Sequence, residues 1–227
     1  MLRARSTFFT SNLEAARSLL EGLGLAVSEE SEDSVILDAG GGRVELRRVA
    51  AEVPANGTTE FAVEIRDPQT FARRTLEAGG TAVVTNGAAV RITGGDGFGF
   101  LAHQTNHGAT CADADPRVTV RAIWLTPDLA AAAKTLAAIG AKPTDDLAVS
   151  GETIAVDFRA KNGGILCARR AEVAGSGLLS FDYDGDLAAV AEKLATGGAE
   201  VEATAAGLVV NGPGVAFTVM TPSAPML

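Results

Sequence analysis

Apolar positions along the chain switch between two periods, and the switch recurs four times. Residues 6–10 read as a strand, after which Leu13, Ala16, Leu19 and Leu20 recur at helical spacing. Ser11 and Glu14 stand at capping-box spacing ahead of that helix, and Gly22 and Gly24 end it. A second strand at residues 60–65 runs into Asp67-Pro68, a cap followed by a proline suited to a first helical turn. Phe71 and Leu76 carry that helix to Gly79-Gly80. The third copy has a strand at 118–125, a Thr126-Pro127 start, and Leu129, Ala133 and Leu136 before Gly140. The fourth has a strand at 178–183, then Leu187, Val190 and Leu194 before Gly197-Gly198.

Three short strands follow each helix. In the second copy they fall at 81–85, 88–93 and 98–103, with Asn86-Gly87 as a hairpin signal; in the fourth they fall at 199–204, 207–211 and 215–220. The halves also match each other. Residues 41–48 align without gaps to 163–170, and 95–100 correspond to 212–217. The pattern predicts an α+β fold of four βαβββ units grouped as two similar domains. The first domain covers 1–106 (units at about 1–53 and 57–105), 107–116 link the halves, and the second covers 117–227 (units at about 117–173 and 177–222).

Composition narrows the partners. Among 227 residues, 47% are hydrophobic and 21% charged, enough for a packed core in each half. The net charge is −9 with no basic tract, which argues against nucleic acid and anionic membranes as partners. No apolar stretch is long enough to span a bilayer. With only Cys111 and Cys167 and no leader pattern, a cytoplasmic location is expected.

Residues 10–25, a helix closing on a Leu-Gly pair, resemble a motif of the vicinal-oxygen-chelate superfamily: glyoxalase I, extradiol dioxygenases and bleomycin-resistance proteins. Asp96-Gly97 resembles that family's closing Asp-Gly-Asn segment, with Phe98 in place of the asparagine. The resemblance implies that the four units form two cupped mixed β-sheets with helices packed outside and a ligand held in the cup. In metal-dependent members it also implies His and Glu ligands around an incompletely coordinated divalent ion. Carried onto this chain, those ligand positions fall near Arg5, Glu45, Glu60 and Leu101, and near Arg121, Cys167, Leu178 and Thr218. Arginine cannot ligate a metal.

The favoured expectation is therefore a small-molecule-binding protein without a metal cofactor, its ligand contacted by Arg5, Phe61, Phe100, Arg121, Trp124 and Phe181. Phe8 and Phe158 are further candidate linings, although core packing is the usual role of each such ring. The alternative is a divalent-metal-dependent lyase, isomerase or dioxygenase with a Glu45, Glu60, His103 site, since His103 shares a strand face with Leu101. Against that site stands a reading in which Arg5 pairs with Glu60 and His103 sits at a strand end, with His107 solvated in the linker. A third reading is an interaction module, for instance a homodimer. The glycine runs at 40–42 and 94–97 read as hairpin turns. Asp182, Asp184 and Asp186 lack calcium-loop spacing and read as helix caps. Cys167 reads as a small buried hydrophobe.

Overall fold

A computed structural model of the chain describes residues 1–85, 87–105, 110–144 and 149–222. Asn86 of the expected hairpin and His107 of the expected linker lie outside these residues.

The first unit is β1 (Leu2–Thr10), α1 (Leu13–Leu23), β2 (Ala26–Glu30), β3 (Ser34–Asp38) and β4 (Arg43–Arg48). The second is β5 (Thr59–Ile65), α2 (Pro68–Glu77), β6 (Thr81–Thr85), β7 (Ala89–Thr93) and β8 (Gly99–Gln104). The third is β9 (Val118–Thr126), α3 (Leu129–Ala138), β10 (Lys142–Pro143), β11 (Ala155–Arg159) and β12 (Ile165–Arg170). A two-residue strand, β13 (Gly175–Ser176), precedes the fourth: β14 (Leu179–Tyr183), α4 (Leu187–Thr196), β15 (Glu200–Thr204), β16 (Gly207–Gly212) and β17 (Val215–Met220). The predicted βαβββ order holds in all four, and β13 is the element the pattern did not contain.

Helix caps depart from two expectations. Asn12, not Ser11, caps α1, its side chain accepting from the Ala15 N–H at 3.3 Å. Asp128, not Thr126, caps α3, while the Thr126 hydroxyl accepts from the Asp128 N–H at 3.1 Å. The Asp67-Pro68 start of α2 is found as read. Asp186 caps α4, but Asp182 does not: it lies within β14, an acid in a buried strand.

Units one and two form a mixed eight-stranded sheet of order β2-β3-β4-β1-β5-β8-β7-β6. Units three and four form a nine-stranded sheet along the matching path β10-β11-β12-β9-β14-β17-β16-β15, with β13 on β9. Within each sheet the units meet through their first strands, β1 against β5 and β9 against β14, both antiparallel.

Apolar packing follows a different pairing. One core joins α1 and the β1, β3 and β4 side chains of unit one to α4, Phe181 and Phe217 of unit four. The other joins Phe61, Ile65, Ile92 and Phe100 of unit two to Trp124, Leu129, Leu136 and Phe158 of unit three. Each helix is outside its own sheet's cup, as expected. In the whole molecule, however, the helix-bearing faces turn towards each other and leave the cup faces pointing away.

The sheets touch where β1 runs beside β9. The Ala4 N–H donates to Gly163 O at 3.0 Å, and the Val120 N–H donates to Gly41 O at 2.7 Å. These contacts are counterparts, because the two glycine hairpins matched in sequence here reach across to each other's first strand. Gly164 takes φ +89°, and a Cβ there would run into the Cβ of Ala4. Only glycine lets the backbones approach this closely.

Candidate functional site

Strand alternation separates two sets of side chains. On β1, Leu2, Ala4 and Phe8 enter the cores, so Arg3, Arg5 and Thr7 face the cup. The same logic places Arg43, Glu45 and Arg47 of β4, Glu60, Ala62 and Glu64 of β5, and Leu101 and His103 of β8 on the cup face. The register sets Arg5 opposite both Arg43 and Ala62, and Ala62 opposite Leu101. Glu64 stands opposite both Arg3 and His103.

The centre of the first cup is a buried ion-pair network. Arg5 Nη2 meets Glu45 Oε2 at 2.6 Å, the Thr7 hydroxyl donates to the same oxygen at 3.0 Å, and Arg47 reaches Oε1 at 2.9 Å. Glu64, fully buried, sits among Arg5 at 3.6 Å, Arg43 at 3.5 Å and Arg3 at 3.8 Å. Arg43 also holds Asp38 at 2.6 Å. Burial would raise the Glu45 carboxyl, but Arg5 and Arg47 outweigh it and hold the group below the usual carboxylate range. At Glu64 burial outweighs the three arginines, which stand farther off, and the carboxyl is pushed up. His103 is half-buried; burial first, then Arg5, drops its pKa to about 4, so the ring is neutral near pH 7.

The second cup repeats the design with fewer groups. Arg121 occupies on β9 the place of Arg5 on β1: Arg121 stands opposite Ser180 as Arg5 stands opposite Ala62. Asp182 therefore corresponds to Glu64. Arg121 grips it with Nε on Oδ1 at 2.9 Å and Nη2 on Oδ2 at 2.8 Å, and Nη1 meets Asp157 at 2.6 Å. Burial opposes the guanidinium charge, yet the two carboxylates hold its pKa well above the usual value. Cys167, beside them, has a thiol pushed up to about 12 by burial and then by Asp157, which leaves it protonated and inert as a nucleophile.

The aromatic candidates are placed otherwise than expected. Trp124 and Phe181 are fully buried in the cores between the sheets, on the side away from the cups, because their strand positions alternate with those of Arg121 and Asp182. Phe8 and Phe158 are core residues too. Phe61 and Phe100 pack edge-to-face at 4.9 Å within the core, but both also border a cavity of about 300 Å³ opening beside β5 and β8. Glu60, Arg91, Phe98, Leu101, His103 and Ser176 also line it. Ser176 of β13 fixes one corner, its hydroxyl accepting from the Phe61 N–H at 2.8 Å.

The expected Arg5–Glu60 pair is corrected: Arg5 turns to Glu45 and Glu64, while Glu60 is exposed at the cavity mouth. His103 and Glu60 share that cavity, whereas Glu45 is held by Arg5, Thr7 and Arg47. Among the described residues, no three His, Cys, Asp or Glu side chains are gathered to hold a metal. The donor set does not fit the family's centre, since Arg5 and Arg121 carry fixed positive charge at ligand positions and the nearby carboxylates are committed to them. In the second half Leu178 is 65% exposed, and Thr218 donates to Ser180 at 2.9 Å. Sequence reading missed Glu64, Asp157, Arg43 and Asp38, and read Asp182 as a helix cap. The available signal was a carboxylate set inside a strand between two large nonpolar neighbours, Glu64 between Val63 and Ile65 and Asp182 between Phe181 and Tyr183. A buried charge of that kind requires a partner.

No protein-family model matches the chain, and no curated protein sequence matches it. Solved structures do. A homoprotocatechuate 2,3-dioxygenase from Arthrobacter globiformis superposes with TM-score 0.62 at 15% identity, covering 96% of this chain and 78% of that one. The 2,3-dioxygenase LapB from Pseudomonas sp. KL28 gives 0.62 at 11% identity, covering 99% and 94%. An Mn(II)-bound glyoxalase from Novosphingobium aromaticivorans gives 0.55 at 15% identity, covering 96% and 80%. The chain has the fold of the vicinal-oxygen-chelate superfamily, in a form with two sheets.

Proposed function

We propose that this chain is a small-molecule-binding protein of the glyoxalase and bleomycin-resistance type, holding a compact organic ligand in the first cup. The observation that carries the reading is the cavity of about 300 Å³ beside a cup centre in which two of the ligand positions, Arg5 and Glu45, are paired with each other. Its size suits a small ligand. Phe98 and Leu101 offer apolar wall, and neutral His103 offers one donor and one acceptor. Glu60 and Arg91 stand at the border as opposite charges, which favours a ligand with both donor and acceptor groups. The role is placed in the cytoplasm on sequence grounds; no helix among the described residues is long and apolar enough to cross a membrane.

The second reading, a divalent-metal-dependent lyase, isomerase or dioxygenase, draws on the neighbours, which include dioxygenases and an Mn(II)-bound glyoxalase. It would require Glu45 to leave Arg5 and join Glu60 and His103. Metal content measured by elemental analysis after loading with zinc, nickel, cobalt, manganese and iron separates the two. Binding without stoichiometric metal, found by a thermal-shift screen of metabolites and antibiotics and weakened by Glu60→Gln or His103→Ala, supports the proposal. About one tightly held ion per chain, lost in Glu45→Gln and His103→Ala, moves the assignment to the enzyme.

A further inference from the structure

A separate cavity of about 400 Å³ lies between the two halves, beside α2 and the end of α3 and away from both cup faces. Its floor is apolar, made by Leu2, Ile65, Phe71 and Ile139. Its rim is basic. Arg66 follows β5, Arg74 stands on α2, and Lys161 comes from the turn between β11 and β12. No ion pair ties any of these three to a carboxylate among the described residues. Asp67, an acid on the same lining, has its carboxylate engaged by the Thr70 N–H of its own helix at 2.7 Å. The amine of Met1 shows the resulting potential, since burial and then Lys161, Arg74 and Arg66 all push its pKa down. On a chain of net charge −9, three cations against the one carboxylate of Asp67, lining a cavity with an apolar floor, form a local reversal of sign.

We propose that this cavity binds an amphipathic organic anion, a carboxylate head against Arg66, Arg74 and Lys161 with a short apolar tail over Leu2, Phe71 and Ile139. The volume is in the range of small-ligand sites. Arg74 and Phe71 come from the first half and Lys161 and Ile139 from the second, so the bound anion bridges the halves. The inference does not depend on the cup: it uses none of the residues around Glu60 and His103.

The test is titration of the full chain with octanoate by calorimetry, with NMR to locate the site. Saturable one-to-one binding is expected, with shifts at the Ile139 and Gly140 amides. It should weaken about tenfold or more in the Arg74→Gln/Lys161→Gln double variant and also with added salt. Both substituted side chains are exposed, so the fold is retained. Absence of saturable binding, affinity unchanged in the double variant, or octanol binding as well as octanoate would each overturn the proposal. Inorganic phosphate matching octanoate in affinity would overturn the amphipathic assignment as well.

Discussion

Arg121 and Asp182 meet through two nearly parallel contacts, 2.9 and 2.8 Å, across antiparallel strands in a cup where both are buried. A fork-to-fork pair of this kind is worth less in net stability than its geometry suggests, because both ions have lost water. Removing one partner is a different matter. Arg121→Ala leaves Asp182 buried without its counter-charge and should cost about 3–5 kcal/mol. Replacing Arg121, Asp157 and Asp182 together by Met, Leu and Leu should recover most of that loss. Urea unfolding of the three proteins checks both statements.

Glu64 is the corresponding acid in the first cup, and its three arginines stand back at 3.5–3.8 Å. Glu64→Gln removes the charge common to all three. Because burial already outweighs the arginines at Glu64, and Arg5 and Arg43 keep Glu45 and Asp38, the neutral amide should change stability little, by about 1 kcal/mol or less and a few degrees in Tm. A calorimetric scan reads it directly, and a fall of about 10 °C or more would show that the arginines depend on that charge.

His103 links stability to pH. Its folded pKa, about 4, lies below the value of about 6.5 that it has when unfolded. Below about 6.5 the unfolded chain takes up a proton that the folded chain refuses, so this residue's contribution is present at neutral pH and is lost as pH falls towards 4. His103→Asn should flatten stability between pH 6.5 and 4 relative to the parent. The ring's NMR titration midpoint tests the cause.

Asp96 ties the turn before β8 to β9, accepting from the Trp124 indole N–H at 3.0 Å and from the Thr126 hydroxyl at 2.6 Å. Asp96→Ala leaves a buried indole N–H without an acceptor and should cost about 1–3 kcal/mol. Because Trp124 is the chain's one tryptophan, its emission should shift in the same variant.

Much of the fold was readable in the residues, because each unit announces itself by a change of period and a glycine stop. The resemblance placed Arg5 and Arg121 at equivalent positions, and the strand pairings agree: Arg5 lies opposite Arg43 as Arg121 lies opposite Ile165, the residue aligned with Arg43. The site was readable only in part. Identity said that Arg5 could not ligate a metal, but not that it would choose Glu45 and Glu64 over Glu60; that choice depends on the direction of a side chain across paired strands. The rings of Trp124 and Phe181 were misassigned for a related reason. Alternation fixes that they oppose Arg121 and Asp182, but which face becomes the cup depends on where the other half packs, and a single strand does not encode that.

The two ways in which the units associate form a closed circuit: hydrogen-bond ladders join one to two and three to four, and apolar contacts join two to three and four to one. No unit can leave without breaking one bond of each kind. A cut in the loop between β8 and β9 would therefore produce two fragments, each with a complete sheet and half of two cores, whose affinity for each other would measure the tertiary free energy that the connection hides. The duplication evident in the sequence is thus not a pair of independent modules on a string but one cooperative body, and it should melt in a single step.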